Sequence, residues 1–396
     1  MIRLISTIND YCLYLLVFSV TFEYWDPFKL VGSYSVTFFM TMFYFATWVP
    51  LISKNFSFHP LKKFVIPLLL LIVVGFVFSA LNSQYVDEMR FAFHQRALLL
   101  IVLMTFIASH IYNKPKILPF VLNSYIASIL LLFLLVTLGQ GVTYIHGRIY
   151  LFGENPNVLG VKAVLAFLIA MSKLISNFSF KRMAIIVPIC LPFISLTVLS
   201  GSRGAFISMF LGLGVLLFFR KTGVVNKWAI FIIGVFASSF LISYLLETNP
   251  VIASRLLETV EKGDTGRNVL WDAAFNIIAD HTIIGTGFAG VIPMMYAYSG
   301  IPKNPHNIFL YLFISCGLPG ILLFITFLVR LAKSLLRHYR VYGNSLNLVL
   351  FVIVIFNMSK QGGSIGKILF WLFFAILIGS TAHVLPNYNK QKRLTE

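Results

Sequence analysis

Three basic side chains of this sequence have the types and settings that chemistry on a phosphate-bearing lipid requires. Arg203 lies in the short segment SGSRGA between two apolar runs, and Arg267 lies in TGRNVLW. Arginine can hold a phosphate through two parallel hydrogen bonds, so these positions predict binding of an anionic leaving group. His306, in the segment PHN, has the residue type that best removes a proton from a hydroxyl near neutral pH. We therefore predict Arg203, Arg267 and His306 as catalytic residues.

The segment GENPNVLG, residues 153–160, adds further candidate binding residues. Two asparagines flank a proline at a predicted helix start, where free backbone N–H groups favour an anion. The predicted substrate-binding residues are Arg148, Asn155, Asn157, Lys162, Arg203, Arg267 and Asn307. No metal site is predicted, because no His and carboxylate share a helix face at ligand spacing.

Each of these positions also has a plain structural interpretation. The segment GENPNVLG could be an ordinary capped turn with a snorkelling Lys162, and Arg203 could be an interface anchor. Arg267 could be merely solvated, and His306 could be a capping or packing residue. Position in the sequence does not decide between these readings.

The composition places these residues in a membrane protein. Of the 396 residues, 59% are hydrophobic and 11% are charged, and the mean hydropathy is +0.89. Soluble domains carry about 25% charged residues. Because a bilayer requires about 20 apolar residues per helix, the sequence predicts an all-α integral membrane protein with about twelve transmembrane helices. The apolar runs centre on residues 10–24, 32–51, 64–81, 97–112, 118–138, 158–175, 183–200, 204–219, 228–246, 307–329, 345–359 and 366–385.

The net charge of +18 follows the topology of these runs. If the N-terminus is cytoplasmic, most Lys and Arg fall in the cytoplasmic segments and most Asp and Glu fall outside. This distribution predicts a multi-pass protein with both termini cytoplasmic and the first helix retained as an anchor. It favours contact with membrane lipids and excludes nucleic acid as a partner.

One long outward-facing loop, residues 247–306, divides the predicted helices. Residues 1–246 hold transmembrane helices 1 to 9, and residues 307–396 hold helices 10 to 12 and a cytoplasmic tail, all within one membrane domain. Within the loop, Leu270, Ala273, Ala274, Ile277 and Ile278 have the spacing of an amphipathic helix, with Thr265 and Gly266 as caps. A weaker helix is predicted over residues 250–262. After these helices, Gly285, Gly287, Gly290 and Pro293 predict a break in regular structure. Pro302 and Pro305 predict an extended approach to His306.

The sequence resembles the O-antigen ligase family from about residue 140 to 330. HNIFLYLFISCGLPG matches the family's ligase motif of His-Asn, nine residues, Gly, two residues and Gly. The segments around Arg203 and Arg267 and the segment GENPNVLG also match. The resemblance implies a GT-C-like fold with a long periplasmic loop that carries short amphipathic helices.

The resemblance further implies a glycosyltransferase in the bacterial inner membrane. Such an enzyme moves a glycan from undecaprenyl pyrophosphate to a sugar hydroxyl of lipid A-core at the periplasmic face, with no nucleotide, cofactor or required metal. Arg203 and Arg267 would bind the pyrophosphate and stabilise its departure. His306 would orient or deprotonate the acceptor hydroxyl, and the anomeric configuration would invert.

Three other functions stay open at this point. O-antigen polymerases and protein O-oligosaccharyltransferases share the architecture and the arginine-bearing loops, although the spacing of Gly317 and Gly320 after His306 favours the ligase. A secondary transporter also fits twelve helices with both termini inside. However, ionisable residues near the middle of the spans are nearly absent, which disfavours that class.

Overall fold

The chain is seen in a computed structural model that describes residues 2–27, 35–82, 88–145, 147–176, 179–219, 267–361 and 365–382, together with Ser243 and Glu247. Helices make up nearly all of it. In chain order they are α1 (Ile2–Ser19), α2 (Val36–Trp48), α3 (Ile52–Asn55), α4 (Lys62–Leu81), α5 (Glu88–Asn113), α6 (Leu118–Thr137), α7 (Pro156–Ser176), α8 (Phe180–Leu199), α9 (Arg203–Phe218), α10 (Arg267–Asp280), α11 (Gly287–Ser299), α12 (Ile308–Tyr342), α13 (Leu346–Met358) and α14 (Ile368–Thr381). Three-residue 3-10 turns extend α1 (Val20–Phe22) and α2 (Val49–Leu51) and precede α6 (Pro115–Ile117).

Eight of the described helical segments are long and apolar enough to cross a membrane. They comprise α1 with its extension, α2 through α3, α4, α5 from Arg96, α6 with its preceding turn, α7, α8 and α12. Helices α9, α13 and α14 are apolar but shorter. Together these helices coincide with the predicted apolar runs, apart from residues 228–246, of which the structure describes only Ser243. The protein is therefore a mainly helical, multi-pass integral membrane protein, and the total of twelve helices stays a prediction.

The chain forms two compact units, each built from several segments. The first comprises residues 1–55, 116–261 and 339–353. At its centre lies α7, whose residues are almost all buried and which packs against α6, α8 and α9. The approach of α9 is close, because a Cβ added at Gly212 would lie 2.4 Å from a methyl carbon of Leu168. Helix α1 packs on α2 and α6 in the same unit.

The second unit comprises residues 56–115, 262–338 and 354–396. Helix α14 packs closely along α5, and a Cβ on Gly379 would lie 2.8 Å from the carbonyl oxygen of Ala108. Helix α11 packs on α4, with the ring of Phe288 filling the space beside Gly75. Helix α10 packs on α11 in turn. This unit therefore contains the described part of the long loop together with its supporting helices.

The amphipathic helix predicted in the loop is present as α10, and its buried residues are the predicted Leu270, Ala273, Ala274 and Ile277. The predicted caps and the predicted helix over 250–262 lie outside the described residues. The irregular structure predicted across Gly290 and Pro293 is wrong, because both residues lie inside α11. Packing against α4 stabilises this helix despite the N–H that proline lacks.

A two-stranded antiparallel hairpin was not expected from the sequence. Strands β1 (Val142–Ile145) and β2 (Arg148–Leu151) pair with Val142 opposite Leu151 and Ile145 opposite Arg148. The strands contain β-branched and aromatic residues, which favour extended structure. The hairpin lies directly before GENPNVLG and so sets the position of Arg148.

Candidate functional site

A buried ion pair lies at the start of α7 in the first unit. The Lys162 ammonium is 2.6 Å from Oε1 of Glu154, and the two residues are 0% and 3% exposed. Lys162 Nζ also donates to the carbonyl oxygen of Thr21 at 3.0 Å. The hydroxyl of Tyr125 donates to the carbonyl oxygen of Lys162 at 3.1 Å. The ammonium is thus neutralised and hydrogen-bonded inside the protein, as a buried charge requires.

Arg148 joins the hairpin to two neighbouring turns of the same unit. Its Nε donates to the carbonyl oxygen of Ser200 at 2.9 Å, and its Nη2 donates to Oδ1 of Asn157 at 2.7 Å. Its side chain also runs along Gly201, whose φ of +55° lies in the left-handed region. We call Arg148, Glu154, Asn157 and Lys162 the ion-pair cluster.

The turn held by Arg148 leads directly into Arg203. Ser202 caps α9 by accepting from the N–H of Ala205, so Arg203 is the first helical residue, and it is half-buried. A cation at this end opposes the helix dipole. A Cβ on Gly160 would lie 2.6 Å from Oγ of Ser200, so GENPNVLG and SGSRGA pack against each other. Only residues 200–202 separate α8 from α9, so the turn that precedes Arg203 is tight.

The second unit contains a different polar group, which begins at His306. This residue has φ = +50°, a conformation that non-glycine residues rarely adopt and that costs about 1 to 3 kcal/mol. Its N–H donates to Oδ1 of Asn304 at 2.9 Å. The next residue, Asn307, accepts from the N–H groups of Phe309 and Leu310 and so caps α12. The hydrogen bond to Asn304 and the cap by Asn307 together fix the backbone of His306 just before α12.

Helix α10 brings Arg267 to this histidine. The indole N–H of Trp271, one turn after Arg267, donates to the carbonyl oxygen of Pro305 at 3.0 Å. Burial lowers the pKa of His306 below its ordinary value of 6.5, and the positive charges of Arg267 and Lys303 lower that pKa further. The imidazole is therefore mainly neutral at neutral pH. We call Arg267, Lys303 and His306 the histidine cluster.

A break in α12 fixes the other end of α10. Gly317 has φ = +57° and ψ = −161° in the middle of this helix. The carbonyl oxygen of Ile314 accepts from the N–H of Thr286 at 2.8 Å, and the N–H of Leu318 donates to the carbonyl oxygen of Thr282 at 2.8 Å. A Cβ at Gly317 would lie 2.3 Å from the carbonyl oxygen of Ile283. We call this insertion of residues 282–286 into the broken helix the loop lock.

The ligase motif spans the histidine cluster and the break in α12. Its histidine, His306, lies just before α12, and its first glycine, Gly317, forms the break. At its second glycine, Gly320, an added Cβ would lie 2.0 Å from the Cβ of Cys316. The break at Gly317 brings the backbone of Gly320 close to the side chain of Cys316. The lack of room for a Cβ therefore gives a steric reason for glycine at this position of the motif.

Residues 188–325 match the family model for O-antigen ligase. The resemblance to the O-antigen ligase family is confirmed. No curated protein sequence matches the chain significantly. The matched segment includes Arg203, Arg267, His306 and the loop lock, whereas the ion-pair cluster lies before it.

The O-antigen ligase match spans residues of both compact units. Arg267 and His306 both lie in the second unit, and the charge of Arg267 acts on the imidazole of His306. Their catalytic roles stay predictions. Arg203 lies in the first unit, so its predicted convergence with these two residues stays a prediction. Asn155 is exposed, and its Oδ1 accepts from the N–H of Asn157 at 2.9 Å.

Three residues that shape the candidate site were not predicted from the sequence. Glu154 neutralises Lys162. The sequence feature that could have indicated such a partner is a lysine within an apolar helix, because a charge in that setting requires a nearby anion. Lys303, three residues before the histidine, adds positive charge to the O-antigen ligase motif. Trp271 fixes Arg267 beside His306, and no local pattern identifies its bond to Pro305.

Proposed function

We propose that this protein is an O-antigen ligase of the bacterial inner membrane. It transfers a glycan from undecaprenyl pyrophosphate to a sugar hydroxyl of lipid A-core on the periplasmic face, independently of metal. The observation that carries this proposal is the histidine cluster, in which Arg267 and a mainly neutral His306 lie together within a segment that matches the O-antigen ligase model.

Each residue of the cluster has a defined part in the proposed reaction. The acceptor oxygen forms a bond to the anomeric carbon of the donor sugar while the bond from that carbon to the pyrophosphate oxygen breaks. The hydroxyl proton passes to the neutral imidazole of His306. Arg267 stabilises the negative charge on the departing undecaprenyl pyrophosphate. Attack from the face opposite the leaving group inverts the anomeric configuration.

The first unit contributes Arg203 to the same proposal. Arg203 is half-buried in the first turn of α9, and its planar guanidinium can hold a phosphate through two parallel hydrogen bonds. We assign it to the donor pyrophosphate, together with Asn155. The ion-pair cluster supports the turn that leads into Arg203, and the internal bonds of Lys162, Arg148 and Asn157 favour this supporting role over direct donor contact.

The test uses purified protein, undecaprenyl-pyrophosphate glycan and rough lipopolysaccharide in buffer containing a chelator. Wild type is expected to produce capped lipopolysaccharide. His306→Ala and Arg267→Ala are each expected to lower the rate by about 10²-fold or more, the usual contribution of a general base or an oxyanion donor. His59→Ala, an exposed histidine of the same unit, is the matched control and should keep full activity.

Each other outcome overturns a stated part of the proposal. If the lipid-linked glycan lengthens while lipopolysaccharide stays bare, the protein is a polymerase. If wild type transfers glycan but His306→Ala is fully active, the histidine assignment is wrong. If wild type changes neither substrate, the transporter interpretation replaces the enzyme.

A further inference from the structure

An open cavity lined in part by polar side chains lies at the far end of α10 from the histidine cluster, within the second unit. Its volume is about 410 Å³, and it is lined by Asn82, Ala279, Asp280, His281, Thr282, Ile283, Ile284 and Gly285. A carboxylate, a carboxamide, an imidazole and a hydroxyl therefore border one space. The proposed transfer chemistry uses none of them.

The polar groups of the cavity are held in place by the surrounding fold. The hydroxyl of Tyr298 donates to Oδ2 of Asp280 at 2.5 Å. Nδ2 of Asn82 donates to the carbonyl oxygens of Phe78 at 2.9 Å and of Gly285 at 3.3 Å, which directs its amide plane. The loop lock fixes residues 282–285 below them. Groups oriented before binding lose little freedom when a ligand arrives.

The electrostatic character of this cavity is opposite to that of the histidine cluster. Among the described residues, its lining contains Asp280 and no lysine or arginine, so this lining does not favour a phosphate. Of these described lining residues, only Asp280 and His281 have side chains that commonly ligate metals, and a protein metal site usually has three or more such ligands. The remaining chemistry suits hydroxyl groups, because a hydroxyl can donate a hydrogen bond to the carboxylate of Asp280 or to Oδ1 of Asn82.

The two ends of α10 carry charges that the helix itself disfavours. Arg267 lies in the first turn and Asp280 is the last residue, so each opposes the helix dipole. Thirteen residue steps at about 1.5 Å each separate them by about 20 Å. A ligand that meets both ends would therefore have to extend over about 20 Å.

We infer that the cavity is a sugar-binding subsite, in which Asp280 and Asn82 hold a hydroxyl-bearing residue of a glycan while the histidine cluster acts on the pyrophosphate linkage. This inference rests on the proposed function, because a transferase for lipid-linked glycans must hold sugars as well as pyrophosphate. The sugar could belong to the donor glycan or to the acceptor core.

The test measures binding apart from transfer. Saturation-transfer NMR on the detergent-solubilised full chain uses two probes, the delipidated O-glycan and the delipidated core oligosaccharide from rough lipopolysaccharide. Asp280→Asn and Asn82→Ala are expected to weaken binding of one probe by about tenfold or more, the effect of losing a hydrogen bond to a charged group. The affected probe identifies the source of the sugar.

Asp272→Asn is the matched control, since it removes the same charge from an exposed position of α10 outside the cavity. It should leave binding of both probes unchanged. Equal binding of both probes by wild type and Asp280→Asn would overturn the subsite. Equal losses in Asp280→Asn and Asp272→Asn would also overturn it, because net charge would then explain the effect.

The proposed function and the subsite can fail separately. If wild type binds a probe through Asp280 but transfers no glycan, the subsite stands and the ligase assignment fails. If glycan transfer proceeds with an unchanged KM for donor and acceptor in Asp280→Asn, and probe binding is also unchanged, only the subsite fails.

Discussion

The ion-pair cluster and the histidine cluster each contain an arginine and a lysine, but in opposite electrostatic settings. In the first, Lys162 is 0% exposed and its charge is balanced by Glu154 at 2.6 Å. In the second, a half-buried His306 lies beside two cations, and both raise the cost of protonating it. One cluster satisfies its charges within the protein, whereas the other concentrates positive charge beside a neutral imidazole.

This difference distinguishes basic residues that stabilise the fold from basic residues that could take part in the reaction, although both look alike in the sequence. A lysine with an internal anion and carbonyl partners has no strong need for a ligand. Arg267 lies at the N-terminus of α10, where a cation opposes the helix dipole, next to Lys303 and the strained backbone of His306. On this comparison we propose that Lys162 belongs to the scaffold and that Arg267 binds the donor.

Lys162→Met tests the scaffold assignment and has the largest expected effect on stability. Removing one partner leaves Glu154 buried without its cation, which typically costs about 3 to 5 kcal/mol. We expect a lower yield of folded protein and a lower unfolding temperature in detergent, measured by tryptophan fluorescence. The corresponding loss for Arg267→Ala should be small, although its activity should fall sharply.

The double variant Glu154→Gln with Lys162→Met is the control for this effect. It removes both charges, so we expect it to recover much of the lost stability. A Lys162→Met protein that folds normally but fails to bind donor would contradict the comparison. Lys162 would then belong to the substrate site.

Local sequence patterns predicted most of the helices and part of the site. Apolar runs predicted the membrane-spanning helices, because a helix in lipid makes all its backbone hydrogen bonds within its own segment. The spacing of Leu270, Ala273, Ala274 and Ile277 gave the buried face of α10. Arg267 and His306 were predicted from residue type and motif, and both lie in the second unit, while their roles in catalysis stay predictions.

The features that were missed depend on contacts between distant segments. The carbonyl oxygen of Thr21 completes the bonding of Lys162 from 141 residues away, and no periodic pattern records such a pairing. Helix α11 forms despite Pro293 because Phe288 packs into the space beside Gly75. Helix α12 continues to Tyr342, beyond the apolar run, because a helix can extend as an amphipathic segment once lipid contact ends.

Gly317→Ala tests whether the histidine cluster depends on the loop lock. The backbone at Gly317 lies in a region that glycine alone adopts readily, so strain alone should cost about 1 to 3 kcal/mol. The added Cβ would also meet the carbonyl oxygen of Ile283 at 2.3 Å. We expect a lower unfolding temperature and reduced transfer, with hydrogen exchange increased at Thr286 and Leu318.

Gly214→Ala is the matched control for this substitution. Gly214 lies inside α9, and a Cβ added there meets nothing within 4 Å. Alanine at such a helical position is neutral or stabilises by about 0.5 to 1 kcal/mol. Unchanged hydrogen exchange and activity in Gly317→Ala would show that the loop lock does not position the cluster.

Lys303→Ala tests the electrostatic part of the histidine cluster and has the smallest expected effect. Burial and Arg267 still lower the pKa of His306 in this variant, but one cause of the lowering is removed, so the pKa rises toward 6.5. If neutral His306 is the base, the rate falls as pH drops through its pKa. The acid limb of the pH profile of kcat should therefore move to higher pH, by a modest amount because Lys303 is exposed. Lys303→Arg keeps the charge and should leave the limb in place. An acid limb that stays fixed in Lys303→Ala, while Lys303→Arg also matches wild type, would mean that a group other than His306 controls it.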